Sequence, residues 1–147
     1  MIVIDASALL EVLLNTQASE RVTERLFGRN ETLHAPHLLD LEVAQVLRRY
    51  TLSGEMDAER SEQALGDLVD LPLNRYPHDV FLLRIWTLRR NLTAYDAAYV
   101  ALAEALDAPL ITRDAALARA SGHRARVEVS REILRLRISS RYSPQRR

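Results

Sequence analysis

The opening stretch, Met1-Ile2-Val3-Ile4-Asp5-Ala6-Ser7, decides the fold. Ile2 to Ile4 are consecutive β-compatible apolar residues and read as a short strand buried on both faces. Asp5 ends the strand, and Ala6 to Leu14 is a helix-compatible run. Strand, acid and helix in that order put Asp5 at the carboxyl end of a central strand, where open α/β sheets hold their ligands. Two roles suit such a residue. It can cap the helix that follows, which aspartate does well, or it can ligate a cation that other carboxylates share.

Outward from that start, strands and helices alternate. A helix is expected over Ser19 to Phe27, with Gly28 as its stop, then a strand over Thr32 to Ala35 ended by Pro36. A long helix follows from His37 to Leu52, and Asp57 caps another that reaches Leu71. Leu73 to Tyr76 reads as a third strand, His78 to Arg89 as a helix, and Thr93 opens a helix to Leu106. Pro109 to Thr112 is the next strand, Asp114 starts a short helix, and Arg126 to Val129 is a last strand. Alternation of this kind implies a parallel sheet. The expected class is α/β, as a single domain over residues 1–138, with 139–147 a disordered basic tail.

Composition narrows the function classes. The chain has 147 residues, long enough for a core that needs no staples, and no cysteine, which excludes disulfides and thiolate metal sites. No apolar run approaches a membrane span and the start lacks a basic leader, so a cytoplasmic protein without membrane association is expected. The net charge of zero conceals a division. Residues 1–112 carry 10 Arg against 17 acids, and residues 113–147 carry 10 Arg against 3, balances of −7 and +7. An acidic body and a basic end suit a metal in one place and a polyanion in the other, although a solvated helix and a frayed tail give the same balance.

Further acids stand where carboxylates are costly. In the helix from His37, Glu42 lies on the stripe Leu38, Leu39, Val46 and Leu47, at spacings of three and four. An ionised carboxylate on that face needs a cation, either a metal or an arginine such as Arg48 or Arg49. Asp96 shares a face with Leu92, Tyr99, Val100 and Ala103, though Thr93 before it also makes a capping box. Asp114 follows the strand Leu110-Ile111-Thr112 and repeats the geometry of Asp5, with helix capping again the simpler role. Each acid alone has an ordinary explanation, but in a parallel sheet all four can meet at one edge. Carboxylates so gathered repel one another unless cations intervene. Oxygen ligands suit Mg²⁺ or Mn²⁺, and such ions activate water against a phosphodiester.

At these residues the chain resembles the PIN-domain ribonucleases and, among them, the VapC toxins of type II (VapBC) toxin–antitoxin systems. The matching pieces are Ile2-Val3-Ile4-Asp5-Ala6-Ser7-Ala8, Pro36 with Leu41-Glu42-Val43, Tyr95-Asp96-Ala97-Ala98-Tyr99-Val100-Ala101-Leu102-Ala103, and Leu110-Ile111-Thr112-Arg113-Asp114. Their order and spacing fit over roughly residues 1–130. The resemblance implies a three-layer fold with four or five short parallel strands between helices. It implies that Asp5, Glu42, Asp96 and Asp114 form a catalytic, Mg²⁺- or Mn²⁺-binding quartet, supported by the polar side chains of Ser7 and Thr112. It also implies an endoribonuclease toxin that forms homodimers and is held by a VapB-type antitoxin.

Arg113, beside the quartet, is either a contact for RNA phosphate or a solvated surface residue. The four histidines show no ligand spacing, and Trp86 is expected in the core or a dimer interface. A different class of function, a non-catalytic PIN-like module that binds RNA or protein, is disfavoured by the presence of all four acids. A nucleophilic role for Asp5 in phosphoryl transfer ranks last, because Ser7 stands where dehalogenase-like phosphatases carry a second acid.

Overall fold

A computed structural model describes residues 1–16, 19–28 and 30–130. The expected basic tail, and the end of the expected domain beyond residue 130, lie outside the described residues. The elements run β1 (Ile2–Ile4), α1 (Ala6–Leu13), α2 (Ser19–Phe27), β2 (Leu33–Pro36), α3 (Leu38–Ser53), α4 (Ala58–Asp70) and β3 (Leu73–Tyr76). A single 3-10 turn (Asp79–Phe81) leads into α5 (Leu82–Thr87). Then follow α6 (Ala94–Leu106), β4 (Leu110–Thr112), α7 (Ala115–Arg119) and β5 (Val127–Val129).

The five strands form one wholly parallel sheet in the order β3-β2-β1-β4-β5. Ile2, Val3 and Ile4 are all fully buried although consecutive strand residues point to opposite faces, so both faces of β1 are covered. The edge strands β3 and β5 are only partly buried, as expected where one side lacks a neighbour. The chain builds β1, β2 and β3 in one direction and then returns past β1 to lay β4 and β5 on its other side. The order therefore reverses between β1 and β4, and the crevice at the carboxyl ends of those two strands is where such sheets bind ligands. Ile4 lies opposite Ile111, which places Asp5 next to Thr112 and the residues after it.

Helix α6 packs on β1, β2 and β4, and its residues Ala97 to Ala103 are all buried. Four alanines in that run let the helix approach the sheet closely, and Tyr99 fills the remaining space. Helix α1 packs against α2, α3 and β4. Among the described residues, no helix is long and apolar enough to cross a membrane.

Two expectations from pattern need correction. The helix over His78 to Arg89 is shorter than its apolar content suggested: a 3-10 turn, then one and a half turns of α-helix. Ile85 and Leu88 are buried there, but Val80, Leu82, Leu83 and Trp86 point outward. Trp86 is 66% exposed, with the Arg89 guanidinium 4.8 Å from its ring centre, so it is not a core residue. In α3 the buried stripe is Leu39, Val43 and Leu47, and Glu42 lies at its edge, half-buried, beside Leu38 and Val46. Strand and helix ends otherwise agree with the sequence reading to within one or two residues.

Candidate active site

Asp5 is the best-fixed side chain in the crevice. It is 8% exposed. Its Oδ1 accepts from the Ser7 hydroxyl at 2.7 Å and from the Ala8 amide at 3.0 Å, and its Oδ2 accepts from the Thr112 hydroxyl. The helix-cap role and the buried-acid role are thus both realised, by different parts of one carboxylate. Ser7 and Thr112 do more than hold Asp5. The Ser7 hydroxyl accepts the Arg113 amide at 3.0 Å, and the Thr112 hydroxyl accepts the Asp114 amide at 3.0 Å. These bonds tie the start of α1 to the loop after β4, so the two strand ends at the reversal point are held as one unit.

Glu42 reaches the site from α3. Its Oε1 accepts from the Tyr99 hydroxyl at 2.7 Å, across to α6. Tyr99 is 2% exposed, and burial first, then the hydrogen bond to Glu42, pushes its phenol far above its usual range, so it stays protonated and donates. The pattern had placed Tyr99 on the buried face of α6 without showing this bond. Among the described residues no arginine pairs with Glu42, which removes the ion-pair alternative with Arg48 or Arg49.

Asp96 is half-buried in the first turn of α6, where its amide donates to Thr93 Oγ1 at 3.1 Å. The capping geometry read from the sequence is present, and the carboxyl still faces the other acids electrostatically. Asp114 caps α7, its Oδ1 accepting the Ala116 amide at 2.8 Å, and it is solvent-exposed.

The electrostatics connect all four. Burial raises the pKa of Asp5, against the lowering effect of its three hydrogen bonds, and the charge of Asp96 raises it further. Burial likewise raises Glu42, the Tyr99 bond opposes this, and the charges of Asp5 and Asp96 add to the rise. Asp96 is raised by burial and then by Asp114, with the Thr93 bond opposing. Asp5, Glu42 and Asp96 therefore each feel another acid of the quartet, and the site is a pocket of negative potential that attracts cations. The donor set is all oxygen and mostly carboxylate, which suits Mg²⁺ or Mn²⁺. No three His, Asp or Glu side chains among the described residues converge closely enough to grip an ion directly.

Beside the acids runs an open groove of about 690 Å³, lined by Ser7, Leu10, Glu11, Glu42, Tyr95 and Arg113 among others. Glu11 was not singled out from the sequence. It is 2% exposed and bonded to the Arg113 guanidinium and the Thr16 hydroxyl. The available signal was its position four residues after Ser7, which puts both on one face of α1.

The PIN domain family profile matches residues 2–123. The chain is 48% identical to Ribonuclease VapC1 of Mycobacterium tuberculosis over 121 residues, 82% of this chain and 90% of that one. It is 41% identical to Ribonuclease VapC12 of the same organism over 129 residues, 88% and 98% of the two lengths. Among solved structures, PAE2754 from Pyrobaculum aerophilum superposes with a TM-score of 0.65 at 25% identity, covering 95% of this chain and 90% of that one.

Proposed function

This chain belongs to the PIN-domain family, and we propose that it is the toxin of a toxin–antitoxin pair, a Mg²⁺- or Mn²⁺-dependent endoribonuclease. The observation that carries the reading is the field shared by Asp5, Glu42, Asp96 and Asp114 at the reversal point of the sheet. The sequence relationship to VapC ribonucleases supplies RNA as the substrate class. A VapB-type antitoxin as partner, a homodimer as the working form and the cytoplasm as the place of action are part of the same proposal.

In this reading the quartet would hold the metal, with Asp5 and Asp114 as direct ligands and Glu42 and Asp96 acting directly or through water. A bound Mg²⁺ or Mn²⁺ makes its water more acidic and offsets charge on the phosphate. The chain's own contribution is largely preparation. Three donors fix the Asp5 carboxylate before anything binds, so little ordering remains to be done on substrate entry. Tyr99 engages Oε1 of Glu42 and so restrains its carboxylate, and in this reading either Glu42 or Asp96 would take the proton from the attacking water. Hydrolysis then adds water across one P–O bond, and the released oxygen takes a proton from solvent.

The test is cleavage of RNA by the purified chain with Mg²⁺ or Mn²⁺ and with EDTA. Cleavage should require the metal, and Asp5→Asn should lower the rate at least ~100-fold while the far-ultraviolet circular dichroism stays unchanged. Wild-type rates from Asp5→Asn would overturn the mechanism.

A further inference from the structure

Glu11 is a buried charge that the proposed hydrolysis does not use. It lies on α1, one and a bit turns past Ser7, and is 2% exposed. Burying a carboxylate is costly, and an apolar residue of similar volume at such a position is often at least as good for stability. Its partners point to another use. Glu11 Oε1 pairs with Nη1 of Arg113, and Oε2 accepts from the Thr16 hydroxyl. Arg113 stands between Thr112, which bonds Asp5, and Asp114, and its amide is fixed by Ser7. The Arg113 side chain remains 36% exposed, and Glu11, Arg113, Ser7 and Glu42 all line the same groove. A free arginine side chain loses much of its rotamer freedom when it is held still. Here Glu11 has already held it, with one of the five N–H donors committed to Oε1 and a face of the guanidinium still open.

We propose that Glu11 is a positioning residue that fixes the Arg113 guanidinium at the rim of the carboxylate cleft, where it receives a phosphate of the RNA next to the scissile one. The inference rests on the endoribonuclease reading above. Its chemistry answers a difficulty of that site: a polyanion must approach four carboxylates, and one anchored cation at the rim gives the backbone a place to bind. The arrangement also has an unusual sign. Plain electrostatics says that neutralising a carboxylate beside a polyanion site should tighten RNA binding. A positioning role says that the same change should loosen it.

The experiment uses the full-length chain with a fluorescently labelled single-stranded RNA that it cleaves, measuring kcat and KM over a range of salt. Arg113→Ala should raise KM about tenfold, leave kcat within about twofold, and reduce the salt slope of log KM by roughly 0.7, the value for one phosphate contact on a single strand. Glu11→Gln should also raise KM, by about threefold or more, and should add nothing when introduced into Arg113→Ala. KM does not depend on the fraction of folded enzyme, so a loss of stability in Glu11→Gln lowers apparent kcat without imitating the effect. Glu11→Met, which packs without a buried polar group, should give the same rise. Glu11→Gln and Glu11→Met with KM unchanged or lowered, while the wild type cleaves RNA normally, would overturn the positioning role alone. A wild-type chain that cleaves no RNA with Mg²⁺ or Mn²⁺ would overturn the endoribonuclease reading, and this inference with it.

Discussion

Thr112→Val tests the link between the fold and the site more sharply than removal of an acid. Thr112 is fully buried at the end of β4, and valine has nearly its shape, so packing is preserved and only the hydroxyl is lost. That hydroxyl donates to Asp5 Oδ2 and accepts the Asp114 amide, so both partners are left without it. An unsatisfied buried polar group costs about 1–3 kcal/mol, with charged groups toward the upper end. Taking about 2 for the Asp5 carboxylate and about 1 for the less buried Asp114 amide gives ~3 kcal/mol, or a Tm lower by roughly 6–12 °C for a chain of this size. The pH dependence follows from the same bond. It favours ionised Asp5 and lowers its pKa, so its stabilisation is present at neutral pH and is lost as pH falls through the carboxylate range. Differential scanning calorimetry of metal-free wild type and Thr112→Val at pH 7.5 and pH 4.5 should therefore show a large deficit at the first pH and a smaller one at the second. Thr112→Ser, which keeps the hydroxyl, should recover much of the loss. A Thr112→Val protein that melts within 1 °C of wild type, or whose deficit is equal at both pH values, would refute the reasoning.

Three other outcomes follow from the electrostatics of the cleft. Asp5, Glu42 and Asp96 all have raised pKa values, so the folded chain binds protons more tightly than the unfolded one. The contribution of these three acids to metal-free stability should be fully present below the ordinary carboxylate pKa and should be lost as pH rises through their folded-state values. Asp96→Asn should flatten that decline and, after allowance for solvent screening of a half-buried group, gain about 1 kcal/mol at pH 7, or roughly 3 °C in Tm; an unchanged profile in urea melts would contradict it. Mn²⁺ at ~100 times its Kd should stabilise wild type by about 2.7 kcal/mol, and the shift should vanish in Asp5→Asn. No shift at millimolar Mn²⁺ would favour a binding module over a nuclease. Tyr99→Phe leaves Glu42 Oε1 without its donor, and should lower kcat about tenfold with KM little changed; a kcat equal to wild type would show that Glu42 needs no orientation.

The parts of this molecule that were legible in its sequence are those governed by local period and local chemistry. Ile2-Val3-Ile4 and Leu110-Ile111-Thr112 read as buried strands because their neighbours along the chain leave no polar alternation, and both end in acids that cap helices. The segment over residues 78–89 was misread because helical period reports apolar spacing and not what covers it. Val80, Leu83 and Trp86 keep that spacing while facing outward. The site divides the same way. Asp5 and Asp114 announce themselves at strand ends, whereas the donor that orients Glu42 comes from Tyr99, 57 residues away in another helix. The Glu11–Arg113 pair is equally hidden, since it joins α1 to the β4–α7 loop across the sheet's reversal point.

That pattern bears on how Asp5 should be understood. Its capping bond to Ala8 is local and would exist in any strand–acid–helix unit, but its bond to Thr112 exists only because β4 lies beside β1. The first makes Asp5 a good helix cap, and the second makes it a buried acid whose charge is set by the tertiary fold. Asp5→Asn should separate the two. Asparagine caps nearly as well as aspartate, so α1 should persist, while the uncharged amide cannot supply the anionic oxygen that a cation needs. Loss of both Mn²⁺ stabilisation and RNA cleavage in a protein that melts no lower than wild type without metal would assign the charge to function and the geometry to folding. A Tm lowered by ~10 °C without metal would place Asp5 chiefly in the structure instead.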